Sequence, residues 1–169
     1  MSEPTEPTEP TEPEDHTAGG RARGADIPLH ALLQLEFEAP EAGSRVAEVR
    51  MPVAPGAFGF TANLHGGAIA TMVDLACALA AARSTDFDPY RQSLVTADMH
   101  VRYLGTPRTD TVVARAEIVR IGRQLIVVGC TVCDTDDTLI ASADFAMMRV
   151  PRRGPLAPGL AVDPTGPQL

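Results

Sequence analysis

The chain has 169 residues, 44% of them hydrophobic, which is typical of one globular domain with a sizeable core. Its net charge is −8, but residues 1–15 hold six of the 22 acidic side chains and none of the 14 basic ones. The rest is nearly neutral, which excludes an electrostatic attraction to nucleic acid or an anionic membrane. Three cysteines argue against a disulfide framework and the acidic N-terminus against a signal peptide, so we expect a cytoplasmic protein.

The composition divides the chain into three segments. Residues 1–25 form an acidic tail with a Thr-Glu-Pro repeat, which is too polar to bury a core and is expected to be disordered. Residues 151–169 are rich in proline and glycine and are expected to be irregular. The folded domain is therefore expected at residues 26–150.

The first part of this domain predicts a hairpin. A short helix begins near Ile27, and residues 33–38 then alternate between apolar and polar side chains, as in a half-buried strand. Residues 45–51 predict the return strand. Residues 52–62 contain two prolines and two glycines and predict a loop.

The stretch at residues 63–83 predicts a long helix that is apolar on every side and therefore buried on nearly every side. It is rich in alanine, and Gly66-Gly67 lies where a loop would become a helix N-terminus. A membrane-spanning helix needs about 20 predominantly apolar residues, whereas the 17 residues between His65 and Arg83 contain an acid in the middle and two glycines at the start.

Four strands with short turns are predicted after the helix, at residues 95–103, 111–121, 124–133 and 139–150. In the first of them, a period of two places Thr96 on the polar face, together with Asp98, His100 and Arg102. Two strands, one helix and four strands indicate an α+β fold in which an antiparallel sheet curls around the helix.

Asp74 is the first candidate for chemistry, because it is the one acidic residue of the long helix. On a solvated face its helical neighbours would be polar, yet positions 70, 77, 78 and 81 hold three alanines and a cysteine. A carboxylate buried without a partner costs several kcal/mol, so we interpret Asp74 as functional. A general base and a nucleophile are both open roles.

Gly66 and Gly67 are the second candidate. Free N–H groups at a helix start bind an anion or a developing oxyanion, and glycine lets a substrate carbonyl come close to the backbone. Gly66 and Asp74 are eight residues apart, or about 12 Å along one helix axis. Their two roles can meet only if a second chain brings its own Asp74 beside this Gly66, which predicts a homodimer with shared sites.

The remaining polar candidates carry weaker signals. His65 could be a base, but a histidine next to a helix start more often bonds the backbone and fixes the loop. Asn63 is either a loop residue or a donor to the substrate carbonyl. Cys130 and Cys133 match C-x-x-C, but side chains three apart in a strand point to opposite faces, so we expect neither a redox pair nor a metal site.

The sequence also resembles a known family. The motifs that carry the resemblance are LHGGAIATMVD from Leu64, VTADMHVRYLGTP from Val95, and RIGRQLIVVGCTVCD with LIASADFAMM from Arg120 onward. They resemble the hotdog-fold acyl-CoA thioesterases of the PaaI-like (phenylacetate-pathway) branch. The resemblance covers about residues 30–150. It implies a helix wrapped by a curved sheet, dimers whose sheets join edge to edge, and often a dimer of dimers.

The resemblance also implies roles for individual residues. The Gly66 N–H would polarise the thioester carbonyl, and His65 would support its loop. Asp74 of the other subunit would activate water or attack directly, and Thr96 would occupy the family's Ser/Thr position that assists the water. The turn at Gly122-Arg123 resembles the region that family members use near the coenzyme A phosphates.

One position departs from the family pattern. Family members commonly have Asn or Gln six residues before the histidine, in contact with the substrate carbonyl. This chain has Gly59 there, and the nearest amide is Asn63. Either the loop is shifted or this role is vacant.

The function expected from the sequence is hydrolysis of an acyl-CoA to a free acid and coenzyme A. No metal or redox cofactor is implied, since coenzyme A is part of the substrate. A non-catalytic protein that binds acyl-CoA is the alternative. A hotdog hydratase is disfavoured because the position five residues after Asp74, where that pattern has histidine, is Leu79.

Overall fold

The computed structural model describes residues 27–37, 41, 43–61, 63–83, 87–88 and 90–154. The predicted acidic tail at residues 1–25, and nearly all of the predicted tail at 151–169, lie outside the described residues. The described part contains two α-helices, α1 (Pro28–Leu32) and α2 (Gly66–Ala82), and six strands. The strands are β1 (Glu36–Phe37), β2 (Val46–Pro52), β3 (Gln92–Tyr103), β4 (Thr111–Ile121), β5 (Leu125–Asp134) and β6 (Leu139–Pro151).

The six strands form one antiparallel sheet in the order β1-β2-β4-β5-β6-β3. The sheet curls around α2, and the core lies between them, with fully buried side chains such as Met72, Val128 and Phe145. This confirms the α+β fold expected from the order of the predicted elements. Within the described part of the chain, none of the helices combines the length and the apolar character that crossing a membrane requires.

The long helix buries one face rather than its whole circumference in the single chain. Eight of its 17 residues are buried, and they pack against the sheet. The other face is partly open, because Gly67 is exposed and Thr71 and Asp74 are half-buried. The expectation of burial on nearly every side is therefore wrong for one chain alone.

The first predicted strand is shorter than its alternating pattern suggested. Leu33 and Leu35 are buried as expected, but only Glu36 and Phe37 pair with β2. Gln34 lies between the two leucines with φ at 51°, a left-handed conformation that interrupts an extended strand. The polypeptide turns here, and the alternation reflects packing of the two leucines against the core.

A β-bulge in β3 corrects the predicted position of Thr96. The pairing of β3 with β6 shifts between Thr96 and Asp98, so Ala97 is the additional residue. Thr96 pairs with the buried Met147 and faces the helix, as Met99 does opposite the buried Phe145. Asp98, His100 and Arg102 face the other side, so the prediction that Thr96 shares their polar face is wrong.

Candidate active site

The start of α2 is organised by His65. Its backbone is extended (φ −65°, ψ 133°), and its carbonyl accepts the N–H groups of Ala68 and Ile69. Its imidazole Nδ1 accepts the Gly67 N–H at 2.9 Å, which is a side-chain cap of the helix. This is the backbone-bonding role that the sequence favoured for His65. Among the described residues, the Gly66 N–H has no hydrogen-bond acceptor.

Tyr103 holds the same turn from the far end of β3. Its hydroxyl donates to the Gly66 carbonyl at 3.1 Å. A Cβ at position 66 would lie 3.3 Å from the tyrosine ring, which accounts for the glycine. The sequence marked Tyr103 only as an alternating strand residue, because a contact across 37 residues leaves no local pattern.

Asp74 is bonded rather than unpaired. The Thr96 hydroxyl donates to Asp74 Oδ1 at 2.9 Å, and the carboxylate is half-buried. The second oxygen, Oδ2, makes no hydrogen bond to any described residue. The expectation of a buried acid without a partner is therefore wrong, and the contact between Asp74 and Thr96 lies within one chain.

These contacts form two separate groups in the chain. We call His65, Gly66, Gly67 and Tyr103 the amide half-site, and Asp74 with Thr96 the carboxylate half-site. Gly66 and Asp74 are two turns apart, about 12 Å along the helix axis. Of their partners, Thr96 lies near the middle of β3 and Tyr103 at its end, about 20 Å apart. A single chain therefore does not bring the two half-sites together.

Asn63 does not occupy the place left by Gly59. Its side-chain amide donates to the Thr61 hydroxyl at 3.4 Å, and its backbone carbonyl accepts the Gly59 N–H at 2.8 Å. Gly59 itself lies against the imidazole, where an added Cβ would be 3.6 Å from His65 Cδ2. The loop thus keeps position 59 beside His65, with no side chain there.

The turn at Gly122-Arg123 lies at the end of the sheet where β3 begins. The Gly122 N–H donates to the Leu125 carbonyl at 2.8 Å, and the Gly122 carbonyl accepts from the guanidinium of Arg149. Arg149 pairs in turn with Leu94, two residues before Thr96. Arg123 is exposed, so its guanidinium is available to solvent at this end of the sheet.

None of the three cysteines belongs to either half-site, and the surroundings of two of them disfavour the thiolate. Cys130 is buried, whereas Cys133 is half-buried and its strand register shifts at that point. A hydrogen bond with the Cys130 thiol, together with burial, raises the pKa of the Cys77 thiol. Burial, with the carboxylates of Asp137 and Asp134, raises the pKa of Cys133. Thiols held protonated in this way are poor nucleophiles and poor metal ligands.

Metal ligation has no support in the described ranges. No group of three or more His, Cys, Asp or Glu side chains there could hold a metal ion. The run from Asp134 to Asp137 forms the β5–β6 turn, in which the Asp134 carboxylate accepts backbone N–H groups of Arg108, Asp136 and Thr138.

Comparison with known proteins places this geometry in context. Residues 61–141, which include both half-sites, match the Thioesterase superfamily. No curated protein sequence matches the chain at a significant level.

Three solved structures illustrate the likeness of fold. The BH2602 protein from Bacillus halodurans, whose structure was determined with CoA, is 28% identical, covers 72% of this chain and 75% of its own, and has a TM-score of 0.62. A thioesterase family protein from Silicibacter pomeroyi is 25% identical, covers 76% and 93%, and has a TM-score of 0.65. The E. coli PaaI protein of the phenylacetic acid degradation operon is 19% identical, covers 72% and 83%, and has a TM-score of 0.62. Residues 61–141 thus match the Thioesterase superfamily, and the domain that contains them has the hotdog fold.

Proposed function

We propose that this protein is a PaaI-like acyl-CoA thioesterase that works as a homodimer with two shared sites. The family match supports thioester hydrolysis. The CoA bound in the Bacillus halodurans structure supports coenzyme A as the thiol part of the substrate. The motifs around Gly66 and Asp74, and the two half-sites they form, support the proposed assignment of roles.

The observation that carries the proposal is the placement of the two half-sites along β3. This strand is an edge of the sheet, and a long edge with apolar side chains is a template for pairing with another chain. Val95, Met99 and Tyr103 are 48%, 37% and 54% exposed in the single chain. Antiparallel pairing of two copies through β3 would cover this edge.

Such pairing has a direct consequence for the site. With a two-fold axis at His100 and Ala97 bulged out of the register, Thr96 of one protomer lies opposite Tyr103 of the other. The carboxylate half-site of each protomer then meets the amide half-site of its partner, twice in the dimer. The bulge at Ala97 contributes, because it lets Thr96 and Tyr103 face the helix side although their numbers differ by seven.

The proposed reaction uses the Gly66 N–H and Asp74 Oδ2, neither of which makes a hydrogen bond to the described residues. The Gly66 N–H, at the positive end of the helix, binds the thioester oxygen. Asp74 of the other protomer removes a proton from water, and the resulting hydroxide attacks the carbonyl carbon. The tetrahedral intermediate collapses, the carbon–sulfur bond breaks, and coenzyme A leaves as the thiolate, which takes up the proton from Asp74 and so restores the base. In the alternative mechanism at the same site, Asp74 attacks the carbonyl carbon directly and coenzyme A leaves. Water then hydrolyses the mixed anhydride that this attack forms.

The remaining residues serve to hold and orient. The Thr96 hydroxyl holds Asp74 Oδ1, which leaves Oδ2 to face the water. His65 keeps the Gly67 N–H occupied, so that the Gly66 N–H is the donor left for the carbonyl. The exposed Arg123 is the cation proposed to meet the phosphates of coenzyme A.

Replacement of Asp74 by asparagine tests the proposal. Asp74→Asn keeps the size of the side chain and its bond from Thr96 but removes the base, so kcat for thiol release should fall by about 10²–10⁴-fold. Thiol release is followed with a disulfide reagent over a panel of acyl-CoAs. Asp98→Asn is the matched control, since Asp98 faces the other side of β3 and should leave the rate unchanged. Full activity in Asp74→Asn would remove this carboxylate from the mechanism.

A binding protein without turnover is the second candidate, and the vacancy at Gly59 favours it. A missing carbonyl-contacting amide weakens oxyanion binding without closing the site. Stabilisation of the wild-type protein against heat by acyl-CoA, with no thiol released from any member of the panel, would identify this case.

A further inference from the structure

A cavity adjoins the amide half-site. It has a volume of about 380 Å³, within the range of clefts that bind small molecules. One wall is α1 with Leu29 and Leu33, a second is the loop with Ala57 and Phe58, and the third is α2 with Ala68 and Thr71. Since His65 and Gly67 also line it, the cavity borders both residues that flank Gly66. We call it the acyl cleft.

We propose that the acyl cleft receives an uncharged, apolar acyl group of the substrate, an inference that rests on the proposed thioesterase function. A thioester whose carbonyl oxygen is bound by the Gly66 N–H has its acyl carbon chain starting within reach of Gly67. The cleft gives that chain an apolar surface that belongs to one protomer, while the catalytic carboxylate comes from the other.

Two polar side chains in the lining already make hydrogen bonds to the backbone. His65 Nδ1 accepts the Gly67 N–H, and the Thr71 hydroxyl donates to the Gly67 carbonyl at 2.8 Å. Thr71 thus presents its methyl group, and the described residues that line the cleft include no Asp, Glu, Lys or Arg. A carboxylate on the acyl chain would lose hydration here and meet no guanidinium or ammonium group among the described lining residues. Butyryl-CoA should therefore be a substrate and succinyl-CoA, of the same chain length, a poor one.

The length dependence of kcat/KM tests the inference on the full-length protein. From acetyl-CoA to octanoyl-CoA, kcat/KM should rise by about fourfold for each buried methylene until the cleft is filled. Leu29→Ala enlarges the cleft and should move the optimum to longer chains. Thr71→Leu fills it and should move the optimum to shorter chains.

Leu32→Ala is the matched control for Leu29→Ala. It makes the same change on the same short helix. The Leu32 side chain does not line the cleft and is 60% exposed, against 49% for Leu29. Its profile should coincide with that of the wild type. Profiles that keep one optimum in Leu29→Ala and Thr71→Leu, or a succinyl-CoA rate equal to that of butyryl-CoA, would overturn the inference.

If no acyl-CoA releases its thiol, the proposed function is refuted, but the role of the acyl cleft can still be tested. Affinities of non-hydrolysable acyl-CoA thioethers of the same lengths, measured by calorimetry, then replace kcat/KM. Affinity that rises with length and extends to longer chains in Leu29→Ala upholds the cleft. Affinity independent of length overturns it.

Discussion

At the scale of single residues, the site depends on which backbone N–H groups remain free. His65 occupies the Gly67 N–H, and the helix ladder begins at Ala68, so the Gly66 N–H is the donor that the fold leaves over among the described residues. The Tyr103 hydroxyl fixes the next peptide unit by donating to the Gly66 carbonyl. A backbone donor of this kind can be removed only by changing the residue to proline.

Gly66→Pro is therefore a specific test of the oxyanion donor. Proline is tolerated at the first residue of a helix, and the extended backbone of His65 suits the residue before a proline. We expect kcat to fall by about 10²–10³-fold, the usual cost of one oxyanion donor.

Gly66→Ala is the control for that change. It adds the same Cβ near the Tyr103 ring but keeps the N–H, so its loss of activity should be much smaller. Equal losses in the two variants, with circular dichroism showing intact folds, would assign the effect to crowding against Tyr103 instead of to the donor.

At the scale of elements, two irregularities decide what the strands present. The bulge at Ala97 turns Thr96 toward α2, where it meets Asp74. The β5–β6 turn is held by Asp134, whose carboxylate is 3% exposed and accepts three backbone N–H groups at 2.9–3.0 Å. The hydrogen bond from Arg108, with those from Thr138 and Asp136, holds the pKa of Asp134 below its usual range.

This shift predicts how stability depends on pH. Because the pKa of Asp134 is lower in the folded state than in the unfolded state, its stabilisation is present above about pH 4, the usual value for Asp, and is lost as pH falls through the folded pKa. Asp134→Asn should lower the Tm at pH 7. The difference in Tm from the wild type should narrow as the pH is lowered below the unfolded value.

Asp144→Asn provides the comparison for that measurement. A hydrogen bond and the charge of Arg102 also lower the pKa of Asp144, but both side chains are exposed, and such surface pairs contribute little. Its Tm should change less than that of Asp134→Asn. A constant Tm difference for Asp134→Asn across the acidic range would contradict the linkage.

At the scale of the whole molecule, the proposed site exists only where two protomers meet. Mixing two inactive variants, Gly66→Pro and Asp74→Asn, should restore activity, because a mixed dimer has one site in which both residues are intact. With random pairing of equal amounts, half of the dimers are mixed, so about a quarter of the wild-type rate should return.

The recovery should require exchange of subunits. It should appear after the mixture is unfolded and refolded together, and it should be absent when each variant is refolded alone. Mixtures that stay inactive although mass spectrometry detects mixed dimers would place Gly66 and Asp74 of one protomer in the same site.

The elements themselves could be predicted from sequence because their signals are local. The alanine-rich stretch predicted α2 to within three residues at its start, and the period of two predicted β3 to β6 with their turns. Asp74, Gly66 and Thr96 were found as candidates because of their residue types in those patterns. Thr96 was assigned to the wrong face, since one additional residue reverses the alternation and leaves no mark in composition.

The sequence by itself determined the set of helices and strands. It also singled out Asp74 within an apolar helix and the glycines Gly66 and Gly67 at the start of that helix. Only the tertiary structure decided that Tyr103 holds Gly66, that Thr96 holds Asp74, and that these two contacts lie about 20 Å apart along an edge strand. The reason is physical. Periodicity records neighbours within a few residues, whereas contacts across 22 or 37 residues follow from how the sheet closes on the helix.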